Sequence, residues 1–396
     1  MTLLAPEKAP RYVSLKLFYF CFYGALGAYW PFLQLYYRDI GLDVAQIGIL
    51  ATLGGLIGVL AGPLWAILAD AFRLQRILLP LCLTLNLGMT FVIGQTPTFA
   101  GLIAIVGVNA FVAAPIGSLS DSGVIQALGE RRDQYGAQRL WGAVAWIASS
   151  LVVGALVTRL GVWVIFPAAV ALGIPAVIMA ARLPRGEIAR PDLRKGAGKL
   201  IRDRGWLIFI LSAFLLGLCL VASMGFTTSY LHDIGGSGEV VGVAFAAGAV
   251  LEIPTMALAS RIIRRFSARR TLACAALLYA ITAAAQSLIV NPWLAAAALG
   301  LRGAGYGLFW TAGVLEAQAL APKGMNATAQ SLFGAAMMSV PQLAFTTPAG
   351  LIYRDQGFAA LFRIGALLGL GAAAGMLAGR GRTEDGRPTP ARDGLA

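Results

Sequence analysis

Twelve apolar runs, most of them long enough to cross a bilayer, constrain this chain more than any other feature of its sequence. A membrane-spanning helix needs about 20 mainly apolar residues, and in lipid its backbone polar groups must be bonded within the helix. The runs are separated by charges, prolines or clusters of glycine. They cover residues 15–37, 44–69, 77–93, 99–121, 140–157, 162–181, 206–230, 239–263, 271–290, 292–320, 327–353 and 357–378. The sequence therefore predicts an all-α integral membrane protein with twelve transmembrane helices.

Composition excludes the main soluble classes of protein. Of the 396 residues, 58% are hydrophobic and 12% are charged, against about 25% charged residues in an ordinary soluble domain. A soluble chain of this size cannot bury so much apolar surface. We therefore exclude a soluble enzyme, a disordered scaffold and a nucleic-acid-binding module. The four cysteines lie singly in apolar runs and the chain has one histidine, so we expect no metal site and no bound cofactor.

The basic residues predict the orientation of the chain. With twelve spans, both termini lie on one side, and that side carries 26 of the 31 lysines and arginines. The opposite side carries three, Arg38, Arg159 and Arg354, and two more lie inside spans. Because cytoplasmic loops collect basic residues, we expect cytoplasmic termini. The net charge of +13 then reflects topology and not an anionic partner such as nucleic acid.

The basic loop at 182–205 divides the spans into two halves of six. An N-terminal half at 1–181 and a C-terminal half at 206–379 are followed by a charged tail at 380–396, which we expect to be disordered. The halves resemble each other at an offset of about 194–195 residues, which aligns Asp121 with Glu316. Two parallel repeats predict two pseudo-symmetric six-helix bundles, a cavity between them and alternating access by rocking of the halves.

This organisation resembles the major facilitator superfamily. The loop signature G-x-L-A-D-R-x-G-R-R survives in part as AILAD at 66–70 with Arg73 and Arg76, although Ala66 replaces the first glycine and the second is missing. A narrower resemblance, to the phenylpropionic-acid permease group, covers nearly the whole chain except the tail. It is carried by YGALGAYWPF at 23–32, DS at 121–122, YGAQRLWG at 135–142, EIP at 252–254 and FSAR at 266–269.

The resemblance implies a secondary active transporter in the bacterial inner membrane, driven by the proton gradient. We expect proton symport of a small organic solute, an aromatic or other carboxylate, by a monomer whose partners are the substrate, the proton and the lipid bilayer. A sugar or nucleoside proton symporter and a proton-antiport exporter stay open. A membrane-embedded transferase is disfavoured, because the longest loop has about 23 residues and no acid–base cluster. We expect no enzymatic activity.

Two charges inside the spans are the leading functional candidates, since an ionisable residue in a membrane is costly. Glu252 lies near the predicted midplane and is our proton-coupling candidate. Arg302 either binds a substrate carboxylate, for which the guanidinium fork is suited, or forms a permanent ion pair with Glu252. Tyr306 shares a helix face with Arg302 and is a candidate for substrate binding, whereas Phe309 on that face is expected to be packing.

The first helix adds three candidates for substrate binding. Tyr23, Trp30 and Gln34 fall on one face at helical spacing. Tyr23 and Trp30 lie deep enough to reach a cavity. The alternative is a belt of aromatic residues at the membrane interface.

Charged residues at the predicted cytoplasmic ends of the spans are candidates for gating salt bridges. We expect salt bridges between Asp70 and Arg73 and between Asp121 and Arg139. Glu316 is the counterpart of Asp121 in the second half. For both carboxylates, partnership with loop arginines is favoured over contact with substrate. Pairs of this kind bias a transport cycle if they differ between its two states.

Overall fold

The computed structural model of the protein describes residues 9–71, 77–129, 134–183, 203–321 and 326–378. The helices in these ranges are α1 (Ala9–Tyr29), α2 (Leu33–Asp39), α3 (Val44–Ala71), α4 (Leu78–Gly94), α5 (Phe99–Ala113), α6 (Ile116–Leu128), α7 (Tyr135–Leu160), α8 (Ile165–Ala180), α9 (Arg204–Met224), α10 (Thr227–Asp233), α11 (Gly238–Phe266), α12 (Ala268–Gln286), α13 (Pro292–Leu320), α14 (Asn326–Gly334) and α15 (Val340–Ala378). The predicted central loop and tail lie largely or wholly outside the described residues.

Seven helical stretches of the described chain are long and apolar enough to cross a membrane. This finding confirms the prediction of an all-α protein built for lipid. The number of twelve crossings stays a prediction. At residue 357 the long helix α15 is interrupted, because Gly357 has a φ of 80°, and this position separates the last two predicted spans.

Three predicted spans are interrupted by short turns. A 3₁₀ turn at Trp30–Phe32 separates α1 from α2, and turns at 114–115 and 225–226 separate α5 from α6 and α9 from α10. Two of the breaks contain a proline, Pro31 or Pro115. Proline has no backbone N–H and restricts the residue before it, so an α-helix is readily interrupted there.

The chain forms two compact units. Unit 1 comprises Met1–Arg190, Thr227–Ala249 and Val290–Ala297, and unit 2 comprises Pro191–Phe226, Val250–Ile289 and Ala298–Ala396. These units are defined by contacts within the structure, and the predicted division into sequence halves at 182–205 stays a prediction.

Each unit has its own apolar core. In unit 1, α1 packs against α7 and α8, while α4 packs against α5 and α8. The core there includes the buried side chains of Phe18, Trp65 and Leu119. In unit 2, α15 packs against α9 and α12, around a core that includes Phe209 and Phe309. Phe309 is thus a packing residue, as expected from the sequence.

Candidate functional site

The two intramembrane charges predicted to be functional lie in one cluster of unit 2. Glu252 is on α11 and is half-buried, whereas Arg302 on α13 is only 5% exposed. Tyr279 on α12 is fully buried. The segment of α13 that carries Arg302 and Tyr306 packs against it at Gly305 and against the backbone of Glu252 at Gly307. The structure therefore places Glu252 and Tyr279 beside the same segment of α13.

Two glycines of α13 allow these helices to approach closely. A Cβ atom at Gly305 would lie 3.1 Å from the ring of Tyr279 on α12. A Cβ atom at Gly307 would lie 2.9 Å from the carbonyl oxygen of Glu252 on α11. Small residues permit such backbone approach between membrane helices. Because Gly305 and Gly307 have no side chains, α12 and α11 can pack against the part of α13 that carries Arg302.

Tyr279 was missed by the sequence analysis. Its side chain is fully buried, and its hydroxyl has no hydrogen-bond partner among the residues that the structure describes. A buried hydroxyl without a partner costs free energy unless water or a ligand satisfies it. The only sequence signal was a single tyrosine in an alanine-rich span, which periodicity alone cannot distinguish from a packing residue.

The three candidates on the first helix occupy three different surroundings in unit 1. Trp30, in the turn after α1, lines a cavity together with two aromatic residues of α1, Phe22 and Tyr29. Tyr23 lies beneath Arg139, whose guanidinium carbon is 3.9 Å from the centroid of the tyrosine ring. The Oε1 atom of Gln34 accepts hydrogen bonds from Ser229, from its N–H at 3.3 Å and its Oγ at 3.1 Å.

Gln34 belongs to a group of polar contacts between α2 and α10 in unit 1. Arg38 forms an ion pair with Asp233 at 2.6 Å, and the Oγ1 atom of Thr228 donates to the carbonyl of Pro31 at 2.7 Å. The contacting residues are 195 or 197 positions apart, close to the repeat offset. These two short helices contact each other directly, at a sequence separation close to that of the predicted repeat. Neighbouring His232 is exposed.

Asp121 is bound by a tyrosine and not by the predicted arginine. The hydroxyl of Tyr19 donates to its Oδ1 atom at 2.8 Å, and the ring of Tyr135 packs edge-on against Tyr19. Arg139 stacks on Tyr23 instead and forms no ion pair with Asp121 in the described part of the chain. In this structure the suggested pair is therefore absent, and the gating role of both residues stays a prediction.

Glu316 has the loop arginine that the sequence analysis favoured as its partner. Its Oε1 atom is 2.8 Å from the Nε atom of Arg269, and both side chains are about 10% exposed or less. Arg269 is in the first turn of α12. For the other suggested pair, Arg73 lies outside the described residues, as does the side chain of Asp70.

Within the described residues, no group of three or more His, Cys, Asp or Glu side chains could hold a metal ion. The prediction that the protein needs no bound cofactor stays untested.

Comparison with protein families decides the classification. A model of the MFS_1 like family matches residues 12–364. The chain belongs to this family.

Two curated relatives cover most of its length. The maltose permease of Geobacillus stearothermophilus is 30% identical over 337 residues, which is 83% of this chain and 84% of that protein. The "Probable 3-phenylpropionic acid transporter" of Escherichia coli (strain K12) is 30% identical over 298 residues, 71% and 75% of the two chains.

Solved structures show the same fold. The crystal structure of the nucleoside transporter NupG aligns with a TM-score of 0.79, at 17% identity, over 93% of this chain and 98% of that one. The D-xylose-proton symporter aligns with a TM-score of 0.66, at 13% identity, over 93% and 96%. The predicted resemblance to the major facilitator superfamily and the predicted fold class are therefore confirmed. The MFS_1 like protein is a multi-pass membrane transporter of small molecules and not an enzyme.

Proposed function

We propose that this secondary transporter couples the entry of protons to the uptake of a small organic carboxylate, with an aromatic acid as the leading class. The observation that carries the proposal is the packing of the α13 segment that holds the buried Arg302 against Tyr279, whose hydroxyl has no partner among the described residues, and against the half-buried Glu252. A fixed cation, a carboxylate and a neutral donor on adjoining helices suit recognition of an anion together with the exchange of a proton.

Each residue of the cluster has a separate role in this proposal. Arg302 binds the carboxylate of the substrate, because its planar fork offers two parallel donors. Tyr279 and Tyr306 add hydroxyl donors at the same place. Glu252 takes up and releases one proton per cycle. Substrate and Glu252 then compete for the same arginine, which couples binding of the anion to protonation of the glutamate.

We infer that the protein works in a bacterial inner membrane with cytoplasmic termini and that the proton gradient drives its cycle. The excess of basic residues on one side is the support for this orientation. We infer a monomer that works by alternating access, with no bound cofactor.

Uptake into proteoliposomes tests the proposal. Purified protein is reconstituted, an inside-alkaline pH gradient is imposed, and accumulation of labelled 3-phenylpropionate, maltose and uridine is measured with and without a protonophore. We expect gradient-dependent accumulation of the aromatic acid. Accumulation of maltose or uridine alone would refute the carboxylate assignment, and the absence of gradient-dependent flux from folded protein would refute symport.

The Glu252→Gln variant tests the proton role. It should abolish uphill uptake, since glutamine cannot carry a proton, while exchange of labelled for unlabelled substrate continues. Glu239→Gln is a matched control, because Glu239 is an exposed residue in the first turn of the same helix. Uphill uptake by Glu252→Gln at the level of this control would assign the proton to another group.

The Arg302→Lys variant tests anion recognition. Lysine keeps the positive charge but lacks the fork, so we expect the KM for the carboxylate to rise by about tenfold, the equivalent of one charge-assisted hydrogen bond of about 1.4 kcal/mol. Arg265→Lys, at an exposed position of α11, is the control. An unchanged KM in Arg302→Lys would leave Arg302 as a structural cation.

A sugar is the second candidate substrate class. It is favoured by the 30% identity to a maltose permease over most of both chains, and the same screen distinguishes it.

A further inference from the structure

A cavity of about 310 Å³ is lined by residues of unit 1, whereas Tyr279 and its neighbours belong to unit 2. It is bounded by α1, α4, α8 and the turn region between α5 and α6. Three aromatic side chains form one wall, those of Phe22 and Tyr29 in α1 and that of Trp30 in the turn that follows it. Among the described residues, none with a charged side chain lines it. The cavity is therefore suited to a neutral and mainly apolar group.

An amide pair supplies polar groups to this apolar cavity. The Nδ2 atom of Asn86 donates to the Oδ1 atom of Asn109 at 2.8 Å, and both residues line the cavity. This bond uses one hydrogen of Asn86 and one lone pair of Asn109. Because an asparagine side chain has two hydrogens and two lone pairs, the pair can still offer a donor and an acceptor to a ligand.

Thr90 on α4 adds a hydroxyl group to the polar edge of the cavity, which we define as Asn86, Thr90 and Asn109. Thr84 and Thr96 each donate their hydroxyl to the carbonyl four residues earlier, at 2.8 and 2.9 Å. Thr90 lies between them in sequence, is 4% exposed and lines the cavity. No hydrogen bond joins its hydroxyl to a residue that the structure describes. Its Oγ1 atom is not among the fully buried side-chain atoms without a partner, so we infer that this oxygen opens onto the cavity, where a ligand would provide a hydrogen-bond partner.

We propose that this cavity binds a neutral aromatic ring carrying one hydroxyl or carbonyl group. A cavity of about 150 Å³ with apolar walls is enough to hold benzene, so 310 Å³ accommodates a substituted ring. A sugar fits less well, because its several hydroxyl groups would face mostly apolar walls. Binding in this cavity needs neither a proton gradient nor the proposed function.

Equilibrium binding of p-cresol, a neutral ring with one hydroxyl, tests the proposal. The full chain is placed in lipid nanodiscs, and binding of the labelled compound is measured at equal pH on both sides, with empty nanodiscs subtracted to remove partition into lipid. We expect saturable binding by the wild-type protein. The absence of saturable binding would overturn the proposal, and it would leave gradient-driven carboxylate uptake to be judged separately in proteoliposomes.

Two glycine variants determine whether p-cresol occupies this cavity. Gly117 lines it, and a Cβ atom built there meets no other atom within 4 Å, so we expect the larger side chain of Gly117→Leu to occupy part of the cavity. Gly88 on α4 has equally open space but does not line the cavity. We expect Gly117→Leu to weaken binding at least about tenfold and Gly88→Leu to bind like the wild type. Equal binding by the two variants would overturn the assignment.

A threonine pair tests the polar edge and serves also if Gly117→Leu does not fold. Thr90→Val removes the unpaired hydroxyl, and Thr84→Val is the control on the same helix. Loss of one hydrogen bond should weaken p-cresol binding about threefold to tenfold in Thr90→Val, with no change for toluene, which has no hydroxyl. Unchanged p-cresol binding, or an equal loss for toluene, would contradict a hydrogen bond from Thr90.

Discussion

Asp121 in unit 1 and Glu316 in unit 2 are aligned by the predicted repeat, yet the structure gives them different partners. Asp121 accepts a hydrogen bond from the neutral hydroxyl of Tyr19 at 2.8 Å. Glu316 is held by the guanidinium of Arg269 at the same distance, with both side chains about 10% exposed or less. One carboxylate therefore has an uncharged partner and the other a charged one.

The neighbouring arginines, Arg139 in unit 1 and Arg269 in unit 2, also have different contacts. Arg139 is not bound to Asp121 and lies on the face of Tyr23, 3.9 Å from the ring centroid. Arg269 is committed to Glu316, and its two terminal nitrogens are buried with no hydrogen-bond partner among the described residues. A buried ion pair is costly to break, because the charge that is left behind has no water. The unit 2 pair thus holds α12 to α13 firmly, whereas the unit 1 carboxylate has a partner that is easier to exchange.

The largest effect should come from breaking the pair in unit 2. Arg269→Leu leaves Glu316 buried without a counter-charge, and we expect a loss of about 3–5 kcal/mol in stability. The midpoint of thermal unfolding in detergent micelles measures it. Arg270→Leu, at the next and exposed position, should change the midpoint little.

A double variant sharpens this prediction. Arg269→Leu combined with Glu316→Leu removes both charges and should recover much of the lost stability, since an apolar pair of similar volume often replaces a buried ion pair without cost. If the double variant were no more stable than Arg269→Leu, the ion pair would not be the source of the loss.

An intermediate effect is expected at Asp121. Tyr19→Phe removes one hydrogen bond to a carboxylate, which is worth about 1.5–3 kcal/mol. Tyr36→Phe is the comparison, because the hydroxyl of Tyr36 donates to the neutral carbonyl of Ile93 at 3.1 Å and should contribute about 0.5–1.5 kcal/mol. Equal shifts of the unfolding midpoint in the two variants would show that the carboxylate adds nothing to the bond.

Transport by Asp121→Asn tests the predicted gating role at the same place. We expect a lower rate of uptake and an unchanged order of preference among substrates, because Asp121 contacts tyrosine and lies outside the cluster of Arg302. Wild-type rates would remove Asp121 from the gate.

The smallest effect on stability should follow from breaking Arg38–Asp233. This pair has the same chemistry as Arg269–Glu316 and a shorter distance, 2.6 Å, but its side chains are 25% and 24% exposed. Exposed pairs contribute about 0–1 kcal/mol, so Asp233→Asn should hardly move the unfolding midpoint, and high salt should shrink the shift further. A loss as large as that of Arg269→Leu would mean that exposure does not explain the difference between the pairs.

The sequence predicted the membrane class, the family and the general position of the intramembrane charges. Long apolar runs are local patterns, and the cost of a charge in lipid makes Glu252 and Arg302 conspicuous without any structure. Glu316 was correctly expected to favour a loop arginine. The helix breaks at Trp30–Phe32 and 114–115 carried a local signal in Pro31 and Pro115, which hydropathy alone did not use.

The remaining parts of the candidate sites depend on residues that have no local signature. Tyr279, Asn86, Thr90 and Asn109 look like ordinary members of apolar helices, and their importance follows from what they face. Gln34 shares a helical face with Tyr23 and Trp30, but it bonds to Ser229, 195 residues away. Such contacts depend on how helices pack against each other. Helical periodicity predicts the face on which a residue lies but not its partner on another helix.

By itself the sequence determined that this chain is embedded in a membrane and that a few charged side chains lie within its spans at a cost in free energy. Both follow from hydropathy and charge, which are properties of single residues summed over short windows. Only the tertiary structure decided which partner each of those groups has. Asp121 and Glu316 align in sequence at an offset of 195 and still differ in partner, since hydrogen bonds form over about 3 Å and depend on how distant helices are positioned.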